Sequence, residues 1–237
     1  MNSPLCNNVT YFDILDEIHG HNDIGNLMDV FTAVKNTTYC STGCGGCYDK
    51  VIAIISEAMS NKKNGGEPMN AKVHELLNQQ INKEFYSAYL YLGFSNYFED
   101  VGLDGFANWY MIQAQEERDH AMLFYQYLQN ENQKVTLEAI AKPDKVFTCH
   151  MDVLKAGLEH EQYVTSLIHD IYSAAYDVKD FRTMQFLDWF VKEQGEEETN
   201  ANDLISKMEL YGSDPRSLYM LNQELAARVY TAPSLVL

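Results

Sequence analysis

Ala114-Gln115-Glu116-Glu117-Arg118-Asp119-His120 lies in the middle of a helical stripe whose outer members, Phe106, Tyr110 and Phe124, belong in a core. Steps of three and four place Phe106, Tyr110, Gln113, Glu117, His120 and Phe124 on one helix face. Three more stripes share this property: Val73, Leu77, Ile81, Glu84, Ala88, Tyr91; Leu154, Leu158, Glu161, Thr165, Ile168; and Phe190, Gln194, Glu197, Ala201, Leu204, Met208. Each carries a carboxylate or carboxamide about midway. An unpaired buried carboxylate is costly, so four facing one another need cations.

The spacing sharpens this. Glu84 precedes Glu117 by 33 residues, with His120 one turn on, and Glu161 precedes Gln194 by 33 residues, with Glu197 one turn on. The two halves repeat one pattern, a Glu on one helix and then [Glu/Gln]-x-x-[His/Glu] on the next. Residues three apart are neighbours on a helix, so both can reach one metal. Oxygen-rich ligands with one imidazole suit iron or manganese better than zinc. A single helical Glu is ordinarily just solvated, and runs such as Glu196-Glu197-Glu198 could be that; four on apolar stripes with a matched repeat are not.

Around these stripes the chain is organised by its breakers. Pro68, Pro143 and Pro215 bound two proline-free stretches, each with room for two long helices and a turn. The expected fold is all-α: a four-helix bundle with one long crossover, roughly residues 131–147, and a short fifth helix carrying Leu218, Leu221, Leu225 and Val229. Ahead of it, four of five cysteines (Cys6, Cys40, Cys44, Cys47) fall in the first 47 residues. Such clustering reads as metal or cluster ligation in a small helical domain, with apolar positions at Ile14, Leu15, Ile18, then Leu27, Val30, Phe31, Val34, then Val51, Ile54, Ile55, Met59. The polar Gly/Pro stretch before Met69 reads as a linker. The expected division is 1–60, linker 61–68, and 69–237.

Composition excludes several classes. With 34 acidic against 17 basic residues the net charge is −17, which argues against nucleic-acid or anionic-membrane partners and suits cations. An apolar fraction of 46% is ample for a core, yet no apolar run reaches membrane-spanning length. The first residues lack a basic and an apolar leader region, so the expectation is a cytoplasmic protein.

Residues 69–237 resemble the non-haem bacterial ferritins, through Asn82-Lys83-Glu84-Phe85-Tyr86-Ser87, Ala114 to His120, His160-Glu161-Gln162 and Glu193-Gln194-Gly195-Glu196-Glu197-Glu198. The resemblance implies a ferritin-like bundle, and a homo-oligomeric shell of 24 subunits that oxidises Fe(II) with O2 or peroxide and stores ferric mineral. It implies one iron on Glu84, Glu117 and His120, a second on Glu117, Glu161 and Glu197 with Gln194 nearby, and a third, adjacent iron on Glu116, Glu193 and Glu196 with Glu197. Tyr91 matches the family's site tyrosine. Arg118 stands where haem-binding bacterioferritins place methionine, so no haem is expected. Asp177 and Asp180 are candidates for an iron-entry channel, and His74, His169 and Cys149 for structural residues.

Residues 4–59 resemble bacterioferritin-associated ferredoxin, through Leu5-Cys6-Asn7-Asn8-Val9-Thr10 and Thr42-Gly43-Cys44-Gly45-Gly46-Cys47. The resemblance implies a [2Fe–2S] cluster, with Cys6, Cys40, Cys44 and Cys47 as ligands and electrons supplied for iron release by a ferredoxin reductase or another donor. Pro4 stands at that family's first cysteine, and Cys40 is the substitute. His19 and His21 are alternative ligands. A zinc–thiolate sensor or scaffold domain and a rubrerythrin-like peroxidase remain the alternative readings.

Overall fold

The computed structural model describes Ile14 and residues 27–38, 48–63 and 69–237. The chain divides into two compact units, Met1–Pro68 and Met69–Leu237. In the first, α1 (Leu27–Thr38) packs on α2 (Tyr48–Lys63). Val30, Phe31 and Val34 of α1, Val51 and Ile55 of α2, and Ile14 are buried, as their spacing predicts. α2 runs to Lys63, three residues into the expected linker; Asn61-Lys62-Lys63 contains no breaker, and the glycines come only at Gly65 and Gly66. The four clustered cysteines and the pattern around Leu15 and Ile18 lie outside the described residues.

The second unit is all-helical: α3 (Ala71–Asp100), α4 (Asp104–Asn130), α5 (His150–Asp177), α6 (Phe181–Tyr211) and the short α7 (Pro215–Ala226). α3 pairs with α4 and α5 with α6 through short turns, giving the expected four-helix bundle with one long crossover. Gly102, at φ 75°, makes the first turn in a backbone region that glycine enters without strain. Three of the five helix starts have a local cap. Asn70 accepts from the backbone N–H of Lys72 at 2.9 Å, Asp180 from that of Thr183 at 3.1 Å, and Asp214, before Pro215, from that of Ser217 at 2.8 Å.

Cys149 before α5 makes no side-chain cap bond, and α4, after Leu103, has no capping side chain of its own either. Its cap comes from α7: Asn222 Oδ1 accepts from the N–H groups of Gly105 (2.8 Å) and Phe106 (3.3 Å). Gly105 permits this approach, since a Cβ there would stand 1.7 Å from the Asn222 carbonyl oxygen. α7 therefore anchors the end of the bundle. Its helical face carries buried Leu221 and Leu225, but the helix ends at Ala226 and Val229 is exposed, contrary to the expected stripe.

The crossover, residues 131–149, runs along α3. Side chains one turn apart hold it: His74 Nε2 lies 2.9 Å from the Lys134 carbonyl, Asn78 exchanges bonds of 2.9 and 2.8 Å with the backbone of Thr136, and Asn82 donates to Ala139 O at 3.1 Å. His74 is thus structural, as expected.

Two apolar clusters fill the bundle. One is built on Tyr91, Phe94, Phe98, Phe106, Tyr110, Leu154, Leu204 and Leu225, the other on Val73, Leu77, Ile81, Phe124, Leu128, Ile168, Phe186 and Phe190. On every long helix, buried polar residues fall between the positions that feed these clusters: Gln80 and Glu84, Gln113, Glu117 and His120, Glu161, Gln194 and Glu197. Among the described residues no helix is long and apolar enough to cross a membrane.

Candidate metal centre

The four stripes deliver their polar members to one layer. Glu84 comes from α3, Glu117 and His120 from α4, Glu161 from α5, and Gln194 and Glu197 from α6; none exceeds 5% exposure. Glu84, Glu117 and His120 each offer one ligand atom, and these atoms lie within 4.8 Å of one another. His120 Nδ1 stands 3.5 Å from Glu117 Oε2. These are the three residues that the ferritin resemblance implies for a first iron, and Glu117 and His120 share a face as their i, i+3 spacing predicts.

Neutral donors hold one oxygen each of Glu84 and Glu197 and both oxygens of Glu161. Gln80 Nε2 donates to Glu84 Oε1 at 2.8 Å, Gln113 Nε2 to Glu197 Oε2 at 2.8 Å, and Gln194 Nε2 to Glu161 Oε2 at 3.2 Å, while the Tyr91 hydroxyl donates to Glu161 Oε1. Glu84 Oε2 is the one buried side-chain polar atom among the described residues without a hydrogen-bond partner. A buried acceptor without a donor is destabilising by roughly 1–3 kcal/mol, which a cation at this position would reverse.

Electrostatics point the same way. Burial, then Glu117, pushes the Glu84 carboxyl well above the usual range; burial, then Glu161 and Glu197, does the same to Glu117. Burial and Glu197 push Glu161 up to about 8, and burial raises Glu197. Without metal the layer is therefore stable only partly protonated. With cations its protons leave and the charges are matched. Hard oxygen donors with one imidazole fit divalent iron or manganese, the two ions that the sequence pattern favours over zinc.

Aromatic rings wall this layer. Trp189 and Phe190 meet the His120 ring edge-on at centroid distances of 5.5 and 5.7 Å. Tyr91 is fully buried between Phe94, Tyr110 and His160. His160 lies 2.8 Å from Ser87 Oγ; burial, then Lys145 and Lys83, lower its pKa to about 4, so it packs as a neutral ring.

The residues of the expected third position are differently placed. Glu116 and Glu193 are half-buried beside the layer, and Glu196 is exposed. Burial raises both Glu116 and Glu193; Arg228 and His120 pull Glu116 back down, and Glu197 and Glu196 raise Glu193 further. Glu116 is ion-paired with Arg228 at 2.7 Å. Asp180 caps α6 through Thr183, Asp177 is exposed at the end of α5, His169 is exposed, and Cys149 is an exposed free thiol. The sequence reading assigned no role to Gln80 or Arg228, and placed Gln113 on its stripe without one. Gln80 and Gln113 each precede a site glutamate by four residues, a legible signal; Arg228 has none, because it lies beyond the last helix.

The comparisons with known proteins agree with this geometry. The model for the ferritin-like domain matches residues 74–211. The chain is 35% identical to a bacterial non-heme ferritin of Staphylococcus saprophyticus over 162 residues, 68% of this chain and 97% of that protein. It is 36% identical to one of Campylobacter jejuni over 155 residues, 65% of this chain and 93% of that protein. Among solved structures, an open-pore ferritin from the archaeon Archaeoglobus fulgidus superposes with a TM-score of 0.67 at 41% identity, covering 68% of this chain and 99% of that one. A family match from 74 to 211, on a bundle whose four helices converge their carboxylates on one buried layer, makes this chain a member of the ferritin family.

Proposed function

We propose that this chain is an iron-storage ferritin subunit that oxidises Fe(II) at the buried layer and stores the ferric product within a shell of 24 copies in the cytoplasm. The observation that carries this reading is the set Glu84, Glu117 and His120, with ligand atoms within 4.8 Å and an unpartnered Glu84 oxygen. Fe(II) is substrate here. The first ion takes Glu84, Glu117 and His120; the second takes Glu117, Glu161 and Glu197, so Glu117 bridges them. Each Fe(II) gives one electron. A pair reduces O2 and two protons to hydrogen peroxide, or peroxide and two protons to water.

The chain's own residues do the rest. Gln80, Gln113, Gln194 and Tyr91 each hold one carboxylate oxygen, which fixes the ligand geometry before metal arrives. The carboxyl protons released on binding supply the acid that O2 reduction consumes. Glu116, Glu193 and Glu196 lead away from the pair as a further acidic position. Replacing Glu117 with Ala tests the reading: loss of rapid Fe(II) oxidation is expected, and an unchanged initial rate refutes it.

We propose for the first unit a [2Fe–2S] cluster on Cys6, Cys40, Cys44 and Cys47, supported by the clustering of the cysteines and by the resemblance of residues 4–59 to bacterioferritin-associated ferredoxin. Such a cluster carries single electrons, taken from a reductase, and would reduce stored Fe(III) to Fe(II) for release. Joined in one chain, donor and shell gain an effective concentration of order mM. Reductive iron release should slow in a protein beginning at Met69, with the same reductase; equal rates refute this role.

A further inference from the structure

Beyond α7 the chain turns back along α4 and reaches α6. The hydroxyl of Tyr230 donates to Asp119, Ser234 Oγ accepts from Trp189 Nε1 at 3.0 Å, and Leu235 packs against the second apolar cluster. Arg228 is the polar centre of this segment. Its guanidinium lies 4.1 Å over the Trp109 ring and is 19% exposed. Nη1 donates to Gln113 Oε1 at 2.6 Å and to the Trp109 carbonyl at 3.3 Å, and Nη2 to Glu116 Oε2 at 2.7 Å.

Those contacts fix more than Glu116. An amide presents an oxygen on one side and an N–H2 on the other. Because the Gln113 oxygen accepts from Arg228, its nitrogen faces Glu197 Oε2, at 2.8 Å. One permanent cation therefore holds Glu116 directly and Glu197 through one amide. Arg228 acts on the centre without touching the dinuclear ligands.

We propose that Arg228 is a built-in counter-cation beside the metal centre, one that must withdraw before a further cation binds Glu116. Arg228 Nη2 holds Glu116 Oε2 at 2.7 Å, the same carboxylate that a further cation beside the pair would use. Glu116 is thus already ion-paired within the protein, and loading a further ion on it exchanges a guanidinium for a metal. The segment 227–237 is the element that such exchange displaces.

The inference rests on the metal-binding reading above, and one titration separates the two. Zn(II), which is redox-silent, is added to the intact metal-free protein and followed by calorimetry for wild type, Arg228→Gln, Arg228→Lys, and Arg228→Gln combined with Glu116→Gln. Two tight sites per subunit are expected throughout. The next Zn(II) should bind roughly tenfold or more tightly in Arg228→Gln, as loss of a unit charge at contact distance requires. Arg228→Lys, which keeps the charge, should resemble wild type, and the gain should vanish when Glu116→Gln is added. A disrupted fold loses metal, so a gain cannot arise from damage. Unchanged or weaker binding of the next ion in Arg228→Gln, a gain that survives Glu116→Gln, or loss of a tight site overturns the inference. Absence of both tight sites in wild type overturns the metal-centre reading, and the inference with it.

Discussion

Replacing Glu161 with Gln should remove most of one proton per subunit from the protons released when metal binds at pH 7. Burial and the neighbouring Glu197 push the Glu161 carboxyl up to about 8. At pH 7 such a group is about 90% protonated. A metal needs the ionised carboxylate, so binding expels that proton. Glu84 and Glu117 are also raised by burial and add protons of their own, so wild type should release more than one. A glutamine has no proton to lose but keeps the volume and an acceptor for Tyr91. Proton release is read by titrating Zn(II) calorimetrically in two buffers of different ionisation enthalpy. The variant should fall short of wild type by at least about 0.9 proton per subunit at pH 7, and the Glu161 share should shrink to about one quarter at pH 8.5. Equal release by the two proteins at pH 7, or a difference that does not shrink with pH, refutes the reasoning.

The same carboxyls make metal-free stability pH-dependent. A folded-state pKa of about 8 for Glu161 lies above its unfolded value of 4.5, so the stability is fully present below pH 4.5 and lost as pH rises towards 8. By pH 7 Glu161 alone accounts for roughly 3 kcal/mol, seen as a falling denaturation midpoint that Zn(II) restores; a midpoint rising between pH 5 and 7 would contradict it. Tyr91→Phe removes a hydrogen bond that lowers the Glu161 pKa, so the Glu161 share of proton release should persist to higher pH in calorimetry. Asn222→Ala should destabilise by about 1–2 kcal/mol, read by denaturant unfolding, because it uncaps α4 from across the fold. No change in midpoint would mean that water replaces that cap.

What was legible in the sequence is what helical period encodes. Glu84, Glu117, Glu161 and Gln194 stand at matched 33-residue spacings on apolar stripes, and all are buried in one layer. The bundle and its crossover followed from the prolines and the same stripes. Features set by contacts between distant residues were not legible. Asn222 caps α4 from 117 residues away, and no local pattern at Leu103 announces it. Gln113 was visible on its stripe, but its function depends on which way its amide points, and Arg228 decides that. Arg228 and Tyr230 lie outside any helix, so periodicity says nothing of them. Val229 failed for a related reason: α7 stops at Ala226, and the stripe outran its helix.

The metal-centre reading requires two iron ions in the buried layer. Its most direct test is an anomalous difference map from crystals of the intact protein soaked anaerobically in Fe(II). Two peaks per subunit are expected, one bounded by Glu84, Glu117 and His120 and the other by Glu117, Glu161 and Glu197, with Glu117 contacting both. A layer without iron, or a single peak that leaves Glu161 and Glu197 unligated, would contradict the account.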